Sequence, residues 1–253
     1  MNDPNPLPAA EAAPGLSQWQ RVTGIFSAPS KVFQDVAAGN RSWWLPFLIM
    51  ILVSYVFFAT ITMKIGWEQV AQNAIHLNAK TEAKLADAPP AQREIAVKFT
   101  RYSMEGAMAA SPLLILAVLA LGSLGLWGTI NFGFGGKAKY GSIFAVWMLA
   151  SLPSIIKTLL GVIVTFAGMA PESFNLRNFA PTNIGAFLSP TDTNAALYTF
   201  ATSLDFVTIW TLVLLGMGTA IVARTKRSSG YIAVFGWWAI FVLIGVGWAA
   251  AMG

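Results

Sequence analysis

The sequence predicts an all-α integral membrane protein with five transmembrane helices, an N-terminal amphipathic interfacial segment and a polar helical hairpin between spans one and two. The first observation behind this is the distribution of charge. No Asp, Glu, Lys or Arg occurs from Ser42 to Met63, Gly106 to Gly136, Tyr140 to Ile156, Phe206 to Ala223 or Ser228 to Gly253. A helix needs roughly 17–25 residues to cross the hydrocarbon layer, and it satisfies its own backbone N–H and C=O groups there. The second observation is composition. The chain is 56% apolar and 11% charged, against about 45–50% and about 25% in soluble domains, which excludes a soluble globule. Its 253 residues hold five crossings and one sizeable hydrophilic segment, so residues 17–253 read as a single membrane domain.

Residues 1–16 read as a disordered tail, because Pro4, Pro6, Pro8 and Pro14 deny helical hydrogen bonds and little apolar surface is present to bury. The tail lacks a basic stretch followed by an apolar core, so insertion is expected to rely on the first span. From Ser17 to Ala38, Trp19, Val22, Ile25 and Phe26, then Val32, Phe33 and Val36, recur at helical spacing on either side of Pro29. This predicts two short amphipathic helices lying on the membrane face, the second capped by Ser30. Trp19, Arg21, Phe26, Lys31 and Phe33 are the candidate membrane-surface contacts.

Span one is placed near 44–64, with Trp43 and Trp44 as interfacial anchors at one end and Trp67 near the other. The mixed-charge segment 66–105 predicts helices on either side of Ala88-Pro89-Pro90, a hairpin outside the hydrocarbon. Spans two to five are placed near 109–131, 141–166, 204–223 and 231–252. Pro153 removes an N–H inside span three and is expected to kink it.

Short loops rich in Lys and Arg stay in the cytoplasm. Lys137 and Lys139 in one loop, and Arg224, Lys226 and Arg227 in another, lie on the same side as Arg21, Lys31 and Arg41. That predicts a cytoplasmic N-terminus and an extracytoplasmic C-terminus, with the hairpin 66–105 extracytoplasmic despite the six basic residues from Lys64 to Arg101, which acidic neighbours accompany.

Little in the spans suits catalysis. With no cysteine, disulfides, thiolate nucleophiles and cysteine metal sites are excluded. His76, the sole histidine, has no partner in a metal-binding pattern and reads as a solvated helix residue. Gly133-Phe134-Gly135-Gly136-Lys137 superficially resembles a phosphate-binding loop, but Asn131 stands where its first glycine belongs and Ala138 where its hydroxyl belongs. It reads as a flexible interfacial turn. No catalytic, cofactor or metal residue is assigned, and nucleic acid is not an expected partner.

Two ionisable residues at the spans are functional candidates. Lys157 falls roughly 24 Å along span three, on the face where Asp205 begins span four, so an interhelical ion pair is geometrically open to them. The alternative is that both snorkel to the interface. Gly216 with Ala220, Gly245 with Ala249 and Gly247 with Ala251 are small pairs that allow close helix packing, internally or between copies.

Ile25-Phe26-Ser27-Ala28-Pro29-Ser30-Lys31-Val32-Phe33, Leu149-Ala150-Ser151-Leu152-Pro153 and Ser203-Leu204-Asp205-Phe206-Val207-Thr208-Ile209-Trp210, in this order and spacing, resemble the bacterial branch of the Yip-one (Ypt-interacting protein) domain family. The resemblance extends from about residue 20 to the C-terminus. It implies a five-span helical membrane protein with a cytoplasmic N-terminus, here in a bacterial inner membrane. Eukaryotic relatives bind Rab-type small GTPases in vesicle traffic, but the short tail of this chain shows no GTPase-binding element and no binding residue is carried over.

The function expected is therefore non-enzymatic: organisation of membrane proteins or sensing of lipid packing, through lipids, other membrane proteins or self-association. The rival is a small-solute transporter or channel subunit with Pro153 and Lys157 near the pathway, since interrupted helices often line binding sites.

Overall fold

The computed structural model describes residues 15–252. The tail expected over 1–16 lies outside the described residues except for Gly15 and Leu16. Among the described residues the architecture is helical: α1 (Gln18–Ser27), α2 (Pro29–Ala38), α3 (Trp44–Lys64), α4 (Trp67–His76), α5 (Ala79–Ala86), α6 (Pro90–Ala109), α7 (Ser111–Gly128), α8 (Tyr140–Ala150), α9 (Ser154–Phe166), α10 (Ala195–Ser203), α11 (Phe206–Ala223) and α12 (Arg227–Met252).

Five of these runs are long and apolar enough to cross a membrane: Trp44–Lys64, Ser111–Gly133, Tyr140–Phe166, Phe206–Ala223 and Arg227–Ala251. α11 is the shortest. Its 18 residues rise only ~27 Å, against a hydrocarbon layer of ~30 Å, so the whole of it is needed for the crossing. A crossing by α11 alone would set Asp205 toward one side of the bilayer and Arg224 toward the other. The Arg224 side, shared with Lys137 and Lys139, is called the basic end below, and the Asp205 side the far end.

The third span is two helices. Between α8 and α9, Leu152, Ser154 and Ile155 donate their N–H groups three residues back, to Leu149, Ser151 and Leu152, instead of four. Pro153, which has no N–H to give, sits in this tightened turn. The second span ends in a π-helical turn, Thr129–Gly133. The Asn131 side chain holds the glycine-rich loop beyond that turn: its Nδ2 donates to the Ala138 carbonyl at 3.0 Å, and the Ala138 N–H donates back to Oδ1 at 2.9 Å. This loop is a clamped turn, not the flexible one expected.

The N-terminal helices pack their shared apolar face into the protein core. Ser17 caps α1 through a reciprocal bond pair with Gln20, and the chain turns at Ala28. α2 then begins at Pro29, for which the first helical position is favourable, so Ser30 is inside the helix and is not its cap. α1 and α2 form an antiparallel hairpin packed against α8 and α11. Ile25, Val32, Phe33 and Val36 are buried in the principal core with Ile143, Val146, Leu149, Leu214 and Leu215. The hairpin tip reaches well along α11: the Ser30 hydroxyl meets Met217 Sδ at 3.2 Å, and the Phe26 ring stands edge-on to Trp210 at 5.8 Å.

Between spans one and two the chain forms three helices where two were expected. Asn78 accepts the Thr81 N–H and starts α5, and Pro90 starts α6. Trp67 is no interfacial anchor. It is buried in a second core with Phe57, Ile61, Val70 and Phe174, and its indole N–H donates to Thr62 Oγ1. Asn73 ties α4 to the loop after α9 by donating to the carbonyls of Pro171 and Phe174 at 2.8 and 2.9 Å.

Candidate functional site

At the far end, Asp205 precedes α11 and accepts the Thr208 N–H at 2.8 Å through Oδ1, covering one of the orphan donors of the helix N-terminus. Its other oxygen, Oδ2, accepts from Lys157 Nζ at 2.9 Å and from the Thr182 hydroxyl at 2.5 Å. The loop 167–194 delivers Thr182 to this point, where its carbonyl also accepts the Phe206 N–H at 2.9 Å and Asn183 bridges to Asp205. Asp205 is 2% exposed while Lys157 remains 24% exposed. The ammonium also stands 5.7 Å from the centroid of the Phe179 ring. One carboxylate thus joins α9, α11 and the far-end loop.

Behind Thr182 lies a second polar cluster. Asn183 Nδ2 donates to Asn178 Oδ1 at 2.7 Å, Asn178 Nδ2 donates to the Tyr198 hydroxyl at 3.2 Å, and Asn183 Oδ1 accepts the Ala186 N–H. Neither Thr182 nor these asparagines stood out in the sequence, where they belong to an ordinary polar loop.

At the basic end the corresponding junction is Arg21, which is 1% exposed. Its guanidinium donates to Ser42 O at 2.6 Å, Asn40 O at 3.0 Å and Asn40 Oδ1 at 3.2 Å, and its Nε lies 3.4 Å from Asp35 Oδ2. Burial pushes the Arg21 pKa down from its ordinary value and the Asp35 charge pushes it back up. Asn40 in turn donates to Asp35 Oδ2 at 2.8 Å, and Asp35 Oδ1 accepts the Leu16 N–H. The network closes the base of the α1–α2 hairpin onto the start of α3.

Of the five surface residues read from the sequence, Trp19, Phe26 and Lys31 are exposed. Arg21 and Phe33 are buried, so neither reaches lipid. Phe33 is drawn inward because Gly218 leaves it room: a Cβ there would meet Phe33 at 2.9 Å and Val146 at 2.5 Å. Gly216 and Ala220 face Gly230 of α12, where an added Cβ would lie 2.2 Å from the Gly216 carbonyl oxygen. Gly245 lies beside Thr199 of α10, while Gly247 has open space around it and Ala249 is half-buried. His76 ends α4, exposed. Among the described residues no group of three or more His, Asp or Glu converges as metal ligands would.

The family profile for the Yip1 domain matches residues 23–249. No curated protein and no solved structure matches the chain. The match takes in the α1–α2 hairpin beyond Val22, both halves of the broken third span and the Lys157–Asp205 junction, so the chain belongs to the Yip1 domain family of membrane proteins.

Proposed function

We propose that this protein is a non-enzymatic organiser of the membrane, acting through lipid and protein contacts, with its basic end in the cytoplasm of a bacterium and its far end outside the inner membrane. One observation carries the reading: the two charged side chains fully buried among the described residues, Arg21 and Asp205, both fasten one helix to another. A general acid, base or nucleophile would instead stand free in a cleft within reach of a substrate. The surface available for contact on the α1–α2 hairpin runs from Trp19 near its base to Phe26 and Lys31 near its tip, an amphipathic set suited to anionic lipid or a neighbouring span. Long apolar flanks, α12 above all, are open to other membrane proteins or a second copy.

Crosslinking in native membranes tests the proposal, comparing the parent with Trp19→Ala/Phe26→Ala/Lys31→Ala. The triple variant should fold but lose recovered partners or anionic-lipid association. If both stay at the parent level, the reading is wrong. A second reading, a small-solute transporter or channel subunit, has in its favour the break at Pro153 beside the partly exposed Lys157. Solute flux in proteoliposomes that disappears in Lys157→Ala would favour it.

A further inference from the structure

The geometry points to a glycerophospholipid site in the cleft between α3, α7, α9 and α11, with the lipid phosphodiester at Lys157 and one acyl chain running toward the middle of the bilayer. This deepens the proposed function by naming a ligand class and a place for it. The cleft has a volume of about 490 Å³, inside the ~300–1,000 Å³ range of small-molecule sites.

Depth is the first argument. The cleft begins beside Val207 and Thr208, in the first turn of α11, and continues to Leu212. Because all of α11 is needed to cross, its first turn lies at headgroup level, and Leu212 lies ~10 Å deeper, seven residues beyond Asp205. A cleft starting at that depth and running into hydrocarbon meets the glycerol and phosphate region at its mouth and acyl chains below.

Charge complementarity is the second. Among the described residues Lys157 is the only ionisable one lining the cleft. Its partner Asp205 is 2% exposed and has both oxygens occupied, so the accessible part of the pair is the cation. An ammonium has three N–H donors. Among the described residues Lys157 donates to Asp205 alone, which leaves further donors free to meet an anionic group. Ser154 and Thr208 add hydroxyls near the same end.

The third argument is the division of the lining. Below these donors the walls are mainly apolar, with Met50, Leu119, Ile155 and Leu212 from four helices, alongside Thr211 and Ser151, whose hydroxyl donates to the Trp147 carbonyl. Exposed Leu114 and Val118 of α7 flank the cleft on the lipid-facing surface, a lateral way in for a chain that never leaves the bilayer. Acceptor-rich at one end and apolar at the other, a glycerophospholipid matches both halves.

The test uses the full chain reconstituted with dioleoyl phosphatidylglycerol and phosphatidylethanolamine, re-extracted in mild detergent and weighed by native mass spectrometry for retained lipid. A parallel sample carries dioleoylglycerol, which has the same chains and no phosphate. The folded protein should retain phospholipid about tenfold better than dioleoylglycerol, the order expected of lost charge-assisted contacts. Thr211→Phe, which fills the cleft, and Ser154→Ala/Thr208→Ala, which removes donors without adding volume, should each lower retention, while Leu243→Phe on the exposed flank of α12 should not. Equal retention of dioleoylglycerol by the parent, or an equal loss from the α12 control, overturns the site. The parent's lipid preference is read without any substitution and does not depend on the α1–α2 surface, so this test can fail while the organising role stands, and the reverse.

Discussion

At the basic end, α2, α8, α11 and α12 meet through glycine. Phe33 lies against Gly218, and Gly230 against Gly216 and Ala220, at distances that leave no room for a Cβ. Toward the far end, α11 instead borders a cleft of about 490 Å³ that it shares with α3, α7 and α9. Both regions are apolar, so hydrophobicity does not explain the difference. In a bilayer a leucine gains little by exchanging a lipid tail for another leucine, and association comes from close packing and interhelical hydrogen bonds. The basic end has the small residues that allow close packing. The far end is held by polar bonds around Asp205 and keeps a gap that lipid can fill.

The largest effect should come from closing the tightest contact. Gly230→Leu would push a Cβ into the Gly216 carbonyl, which no rotamer relieves. A loss of about 3 kcal/mol or more is expected, seen as aggregation or a collapsed melting temperature in detergent. Gly236→Leu, in the same helix with open space around it, should leave melting unchanged. Equal behaviour of the two would remove the contrast.

Next comes the hairpin base. Arg21→Met strips Asp35 and Asn40 of their shared partner and should cost about 3 kcal/mol. Adding Asp35→Leu should recover part of that loss, because no buried charge is then left unpaired. Thermal unfolding of the two singles and the double gives the coupling directly.

At the far end, Asp205→Ala should cost more than Lys157→Ala, roughly 2–4 against 1–2 kcal/mol. The carboxylate serves Lys157, Thr182 and the Thr208 N–H, whereas the lysine donates to one acceptor among the described residues. Equal costs would mean that the pair acts alone and Thr182 contributes nothing.

The smallest effect belongs to α6. The Glu94 carboxyl is held below its usual value by the hydrogen bond from Lys98 and then by the Lys98 charge. Such a group contributes only above the pKa of the unfolded carboxyl, and the contribution fades as pH falls through the lowered folded value. The pair is fully solvated, so Lys98→Ala should leave the acid limb of a melting-temperature profile unchanged.

The spans were legible in the sequence because exclusion of charge is a property of each residue by itself. Pro153 was legible for the same reason: a missing N–H breaks a helix whatever surrounds it. The hairpin was misread because amphipathic spacing shows that Val32, Phe33 and Val36 share a face without showing whether that face meets lipid or protein. What decides is Gly218, 185 positions beyond Phe33. Arg21 was misread likewise, since Asp35, Asn40 and Ser42 become its partners only when the chain turns at Ala28. Thr182 had no local signal. The boundary at Asn78 did have one, an Asn ahead of an Ala- and Lys-bearing helix, overshadowed by the stronger Pro89-Pro90 break.

Accessibility labelling tests the central claim, five crossings with the basic and far ends on opposite sides, most directly. The chain contains no cysteine, so single introduced thiols carry no background. In intact cells, Ser189→Cys should react with an impermeant maleimide from outside and Lys226→Cys only after the membrane is opened. Reaction of both from the same side would contradict the account.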